Sequence, residues 1–143
     1  MKIRLTAFAL VLALGTAASL AQEFAQGQVW SYKTRRGEEA STLLINKIDN
    51  DANLGEIFHI TVSDVRVKNK RVPGELTTEL PHFPVARETL EASCVKLIRV
   101  AKPNPNYAEG YAQWKRAFDQ GRAGIFAVPV SEIVQIVETT VNK

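Results

Sequence analysis

Apolar and polar positions alternate along Gln28 to Thr34, where Trp30 and Tyr32 oppose Ser31 and Lys33. A period of two marks a half-buried strand. The polar turn Arg35-Arg36-Gly37-Glu38-Glu39 follows, and Thr42 to Ile48 is rich enough in branched residues to return as a second strand. The run from Asp49 to Gly55 reads as an ordinary Asx-rich turn. Ile57 to Lys68 is then a long third strand, with Phe58, Ile60 and Val62 on one face and His59, Thr61 and Ser63 on the other. Val65 and Val67 fall out of step with the inward set, so a bulge is expected near Ser63-Asp64.

Asn69 to Pro84 carries Pro73-Gly74, Pro81 and Pro84 without a sustained period, and is expected to be a loop. Helical spacing takes over at Ala86, Leu90, Cys94, Leu97, Ile98 and Ala101 and stops before Pro103 and Pro105. A second helix is expected after an Asn106 cap, with Tyr107, Tyr111, Trp114 and Phe118 forming one aromatic stripe and Gly121 ending it. Gly124 to Val128 reads as a short apolar strand. Ser131 is expected to cap a last helix that turns Ile133, Val134, Ile136, Val137 and Val141 inward and Glu132, Gln135 and Glu138 to water. The order β-β-β-α-α-β-α implies an α+β fold, with a mainly antiparallel sheet, a three-strand meander plus a late short strand, and about three helices packed on one face.

Composition divides the chain. Residues 1–21 hold 15 apolar residues and no acid, in the order of a secretory signal peptide: Lys2 and Arg4, an apolar core from Ala7 to Leu14, then small residues ending at Ala21. Cleavage is expected after Ala21, leaving residues 22–143 as one globular domain, periplasmic or secreted, with no transmembrane segment. Removing Lys2 and Arg4 from 18 basic and 15 acidic residues leaves 16 against 15, so the basic balance gives no argument for nucleic-acid binding. Cys94 is the sole cysteine, which excludes an intramolecular disulfide, and its place on an apolar stripe makes it a buried, unreactive thiol.

Candidate chemistry is sparse. No metal-ligand spacing, nucleotide loop or nucleophile elbow occurs, so neither a metal nor a cofactor is expected. His59 is expected on a strand surface. His82 and Phe83 are held between Pro81 and Pro84, either for recognition or with Phe83 plugging the core. The aromatic stripe is expected to face the sheet.

The meander adds one constellation. It brings Lys33, Arg35 and Arg36 toward Lys68, Lys70 and Arg71 at one end of the sheet, partly answered by Glu38, Glu39 and Glu75, with Asp49, Asp51 and Glu56 at the other end. The expected function is a small exported binding or inhibitor-type protein, recognising an acidic protein or anionic envelope component through this basic end and through His82 and Phe83 of the 69–84 loop. The alternatives are an exported hydrolase using His59 or His82 with a carboxylate, and a structural accessory domain of the cell envelope.

Overall fold

The computed structural model describes residues 22–143, so the proposed signal peptide lies outside the described residues. Five strands, β1 (Gln28–Tyr32), β2 (Thr42–Asp51), β3 (Gly55–Lys68), β4 (Leu76–Ala86) and β5 (Cys94–Val100), form one antiparallel sheet in the order β4-β3-β2-β1-β5. Three helices accompany it: α1 (Arg87–Ser93), α2 (Tyr107–Asp119) and α3 (Val130–Val141). The fold is therefore α+β, a meander with helices packed on an antiparallel sheet, and its helices are shared between the two faces.

The meander follows local chemistry. Between β2 and β3, Asp51 Oδ1 accepts the amides of Asn53 at 2.9 Å and Leu54 at 2.8 Å, the Asx turn expected of that run. Along β3, Phe58, Ile60 and Val62 are buried with Leu43 and Ile45 of β2 and with Val130, Ile133 and Val134 of α3. The bulge also lies where it was expected. Asp64 takes a left-handed backbone (φ 58°) and the β3–β4 register shifts between Ser63 and Val67, returning Val65 and Val67 to the core face.

Two segments depart from the sequence reading. The expected 69–84 loop is a loop only to Glu75. After the short 3-10 turn at Pro73–Glu75 the chain pairs as β4, whose Pro81 and Pro84 are tolerated because β4 is an edge strand. The helix expected through Cys94 stops at Ser93, and residues from Cys94 onward pair with β1 as β5. Ser93 accepts the Val130 amide at 2.9 Å and Thr89 donates to the Val128 carbonyl at 2.8 Å, so both side chains tie α1 to the start of α3. Cys94 is buried as expected, in a strand rather than a helix, and burial pushes its thiol up to about 12.

Smaller differences accompany these two. Gly124 to Val128 forms only a parallel bridge between Phe126 and Val85, and Phe126 exchanges two backbone hydrogen bonds with Pro84 and Ala86. α3 starts at Val130 without a Ser131 cap, and Asn106 makes no side-chain cap on α2. Ile136, expected inward, is exposed.

Successive strand residues point to opposite faces. Since Phe58 and Ile60 face α3, His59 and Thr61 face the other way, where α2 lies. His59 sits 4.7 Å and 4.8 Å from the Tyr111 and Trp114 rings, centroid to centroid. This second face is polar. Asn46 donates to Thr61 at 2.8 Å, Thr61 donates to the Pro81 carbonyl at 2.8 Å, and Asn46 accepts the Asn104 amide at 2.8 Å. No residue of α2 is fully buried, so its docking depends on hydrogen bonds and aromatic contact more than on apolar area.

Candidate functional site

The basic end is built on the β1–β2 connection. Glu38, at 3% exposure, is enclosed there as an acceptor for three donors. Arg35 grips its carboxylate with both arms of its guanidinium fork, at 2.5 Å and 3.1 Å, and the Arg66 amide donates at 2.5 Å. Burial alone would raise the Glu38 carboxyl, but these hydrogen bonds outweigh it and hold the group below its ordinary range. The same contact raises the Arg35 guanidinium further. Arg35 also reaches Glu138 of α3 at 3.4 Å and Gln135 at 3.1 Å, while Glu138 accepts the Lys68 amide at 2.7 Å. Arg35 is thus a strut that joins a turn, a strand and a helix. Expected among the binding charges and partly answered by Glu38, it is paired with both Glu38 and Glu138.

Around that strut is an open hollow of about 410 Å³, walled by Arg35 to Glu38, by Arg66 and Lys68 of β3, and by Gln135 and Glu138 of α3. Both carboxylates in its wall are engaged by Arg35. Among the described residues, Arg36, Arg66 and Lys68 have no carboxylate within ion-pair distance.

Three of the six basic residues expected at this end, Arg35, Arg36 and Lys68, line the hollow together. Lys33, Lys70 and Arg71 do not line it. Lys33 closes β1 onto α1 through its amide and the Ser93 carbonyl at 2.9 Å. The Lys70 amide donates to Asn142 at 3.3 Å, and the Arg71 side chain donates to the Lys143 carbonyl at 3.0 Å. Arg66 was missed. The bulge provides the signal, because restoring Val65 and Val67 inward turns Arg66 outward at the same end.

His82 and Phe83 belong to neither the hollow nor a loop. Phe83 is half-buried against Phe126 on the core side, 5.8 Å between centroids, which is the core-plugging role. His82 turns to the opposite face and joins a second constellation. There His59 Nε2 lies 3.0 Å from Asp49 Oδ2, and His59 Nδ1 lies 2.9 Å from His82 Nε2. Tyr111 donates to the same Asp49 oxygen at 2.9 Å, and Lys47 stands 3.4 Å from the other oxygen. A carboxylate only accepts, so neutral His59 donates through Nε2 and accepts through Nδ1 from His82 Nε2–H. The order of donation is His82 to His59 to Asp49.

Burial lowers the His59 imidazole despite the neighbouring Asp49, and burial, with His59 beside it, lowers His82 to about 4. For Asp49, burial is outweighed by the hydrogen bonds from Tyr111 and His59 and by the Lys47 charge, so its carboxyl is held low. Tyr111 is pushed up to about 12 by burial and by the Asp49 carboxylate.

An aspartate holding a histidine is also the first half of a hydrolase triad, but here a second histidine stands where the nucleophile would be. Its geometry here is closed, with His59 at 0% exposure against the expectation of a strand surface. The neighbouring cavity, about 210 Å³, is lined by Asp49, Trp114 and Phe118 but by neither histidine. Among the described residues, no three His, Cys, Asp or Glu side chains converge to hold a metal ion, and no helix is long and apolar enough to cross a membrane. No protein-family model, curated protein or solved structure matches this chain.

Proposed function

We propose that this is an exported binding protein that receives an anionic group, such as an acidic side-chain cluster of an envelope protein, in the hollow between the β1–β2 turn and α3. One observation carries the reading. Four cations, Arg35, Arg36, Arg66 and Lys68, stand around a concavity that holds two carboxylates, Glu38 and Glu138, so the hollow keeps a net charge of +2. Its walls are fixed by hydrogen bonds before any ligand arrives, which lowers the ordering cost of binding. Arg36 and Arg66 supply planar donor forks suited to carboxylate or phosphate. Export rests on the pattern of residues 1–21, and intact-mass measurement on secreted material should give a chain beginning at Gln22.

The hydrolase reading draws on the Asp49–His59 contact, but a substrate needs a ring it can touch, and His59 is sealed beneath Tyr111 and Trp114. Fluorescence anisotropy with a labelled oligoglutamate peptide tests the binding reading. Reversing Arg36, Arg66 and Lys68 to Glu together should weaken the peptide by at least about tenfold, with the circular dichroism spectrum unchanged. Reversing Lys115 and Arg116 on α2 should change it less than about twofold. Equal losses from the two sets would overturn the proposal.

A further inference from the structure

The two edges of the sheet differ in kind. At the β4 edge, Pro81 and Pro84 remove backbone donors and Phe126 bridges the strand from outside. β5, the other edge, contains neither proline nor acid. Four of its apolar side chains are open to solvent: Val95 is 59% exposed, Leu97 42%, Ile98 49% and Val100 74%. Isolated exposed apolar residues are ordinary, but Leu97 and Val100 pair opposite Trp30 and Gln28 and share one face, Lys96 and Arg99 pair opposite Ser31 and Val29 on the other, and Val95 and Ile98 stand at the two register shifts between β1 and β5. The outer backbone donors and acceptors of such a strand are a template for one more strand.

The charge beside that patch selects the occupant. From Ala92 to Ala108 the chain carries Lys96, Arg99 and Lys102 and no acidic residue, and none of the three is in an ion pair among the described residues. A second copy fits poorly. The antiparallel pairing that covers most of the apolar row, centred between Leu97 and Ile98, sets Lys96 against Arg99 across the seam, and like charges directly opposite are destabilising. A strand alternating apolar with acidic side chains meets both features at once. The geometry points to β5 as a docking edge for an extended acidic–apolar segment of a partner protein, added to the sheet beside β1. This edge is separate from the hollow and does not depend on it.

The probe is an eight-residue peptide alternating valine with glutamate, with valine–lysine and serine–glutamate peptides as controls. With Arg36, Arg66 and Lys68 reversed to Glu, which removes the hollow's own affinity for acidic peptides, anisotropy should show binding of the valine–glutamate peptide alone, weakened at least about tenfold by adding Lys96→Glu with Arg99→Glu. Hydrogen exchange on the unmutated protein should show the β5 amides gaining protection when that peptide is added. Three results in that hollow-reversed protein would overturn the inference: no binding of the valine–glutamate peptide, equal binding of serine–glutamate, or binding kept when Lys96 and Arg99 are reversed as well. Concentration-dependent dimerisation of the unmutated protein, strengthened by Lys96→Glu, would assign the edge to a second copy instead. Should only the Arg36 set matter, the hollow stands and the edge falls; the reverse pattern separates them the other way.

Discussion

Arg35 and Arg36 are neighbours in one polar turn, and nothing in their sequence surroundings separates them. The structure gives them unlike roles, because Arg35 holds the buried Glu38 carboxylate while Arg36 faces the hollow. Arg35→Ala should therefore destabilise the fold by about 3 kcal/mol, since it leaves a buried charge with only a backbone donor, whereas Arg36→Ala should fall within about 0.5 kcal/mol of the parent in urea unfolding. Equal stabilities would show that Arg35 is a solvated turn charge after all. His82 yields a second prediction at this scale. Its folded pKa, about 4, lies below the ordinary 6.5, so the unfolded chain binds more protons between those values. Stability contributed by the neutral ring should be complete above about pH 6.5 and be lost as pH falls toward 4. His82→Gln should flatten that stretch of a stability–pH profile, and an unchanged slope would place the titration elsewhere. The groups facing His82 come from separated segments, His59 of β3 and Tyr111 and Trp114 of α2, so no local pattern announced the contact.

At the scale of elements, the first three strands and α3 were readable because each keeps its period over most of its length, and the bulge because the period of β3 slips there. β4 was not, because a bulge opposite Thr61 inserts Pro81-His82 between Leu80 and Phe83 and breaks the alternation, while prolines that mark a loop are also permitted at a sheet edge. β5 was misread because Leu90, Cys94, Leu97 and Ile98 also fit a helical stripe, and only the pairing of Cys94–Val100 with β1 reveals a strand. The aromatic stripe does face the sheet, but on its polar side. Trp114 is half-buried there and donates to the Gly124 carbonyl at 2.8 Å. Trp114→Ala should accordingly cost about 2 kcal/mol, less than the ~3–5 kcal/mol of a fully buried tryptophan. Gly110→Ala should also destabilise, despite the better helix propensity of alanine, because its Cβ would stand 3.0 Å from the His82 Cβ and the His82 ring is held by His59. Thermal unfolding of both variants checks this; a Gly110→Ala protein more stable than the parent would show that α2 moves freely over His82.

For the whole molecule, the electrical polarity followed from topology. The meander sets Arg36, Arg66 and Lys68 at one end of the sheet and Asp49, Asp51 and Glu56 at the other, although the chain beyond Ala21 is close to neutral. Which of those charges remain available was decided by tertiary pairing, through Glu38 and Glu138, and that was not legible in a linear pattern. The proposed function rests on the remainder. The most direct test is an amide and arginine side-chain NMR titration of the protein with oligoglutamate peptide, read at several salt concentrations. The account predicts shifts confined to Arg36, Gly37, Arg66, Lys68 and the facing turn of α3, weakening as salt rises because these charges are solvent-facing. Shifts centred on Tyr111, Trp114 and His82, or a response spread evenly over all basic residues, would contradict it.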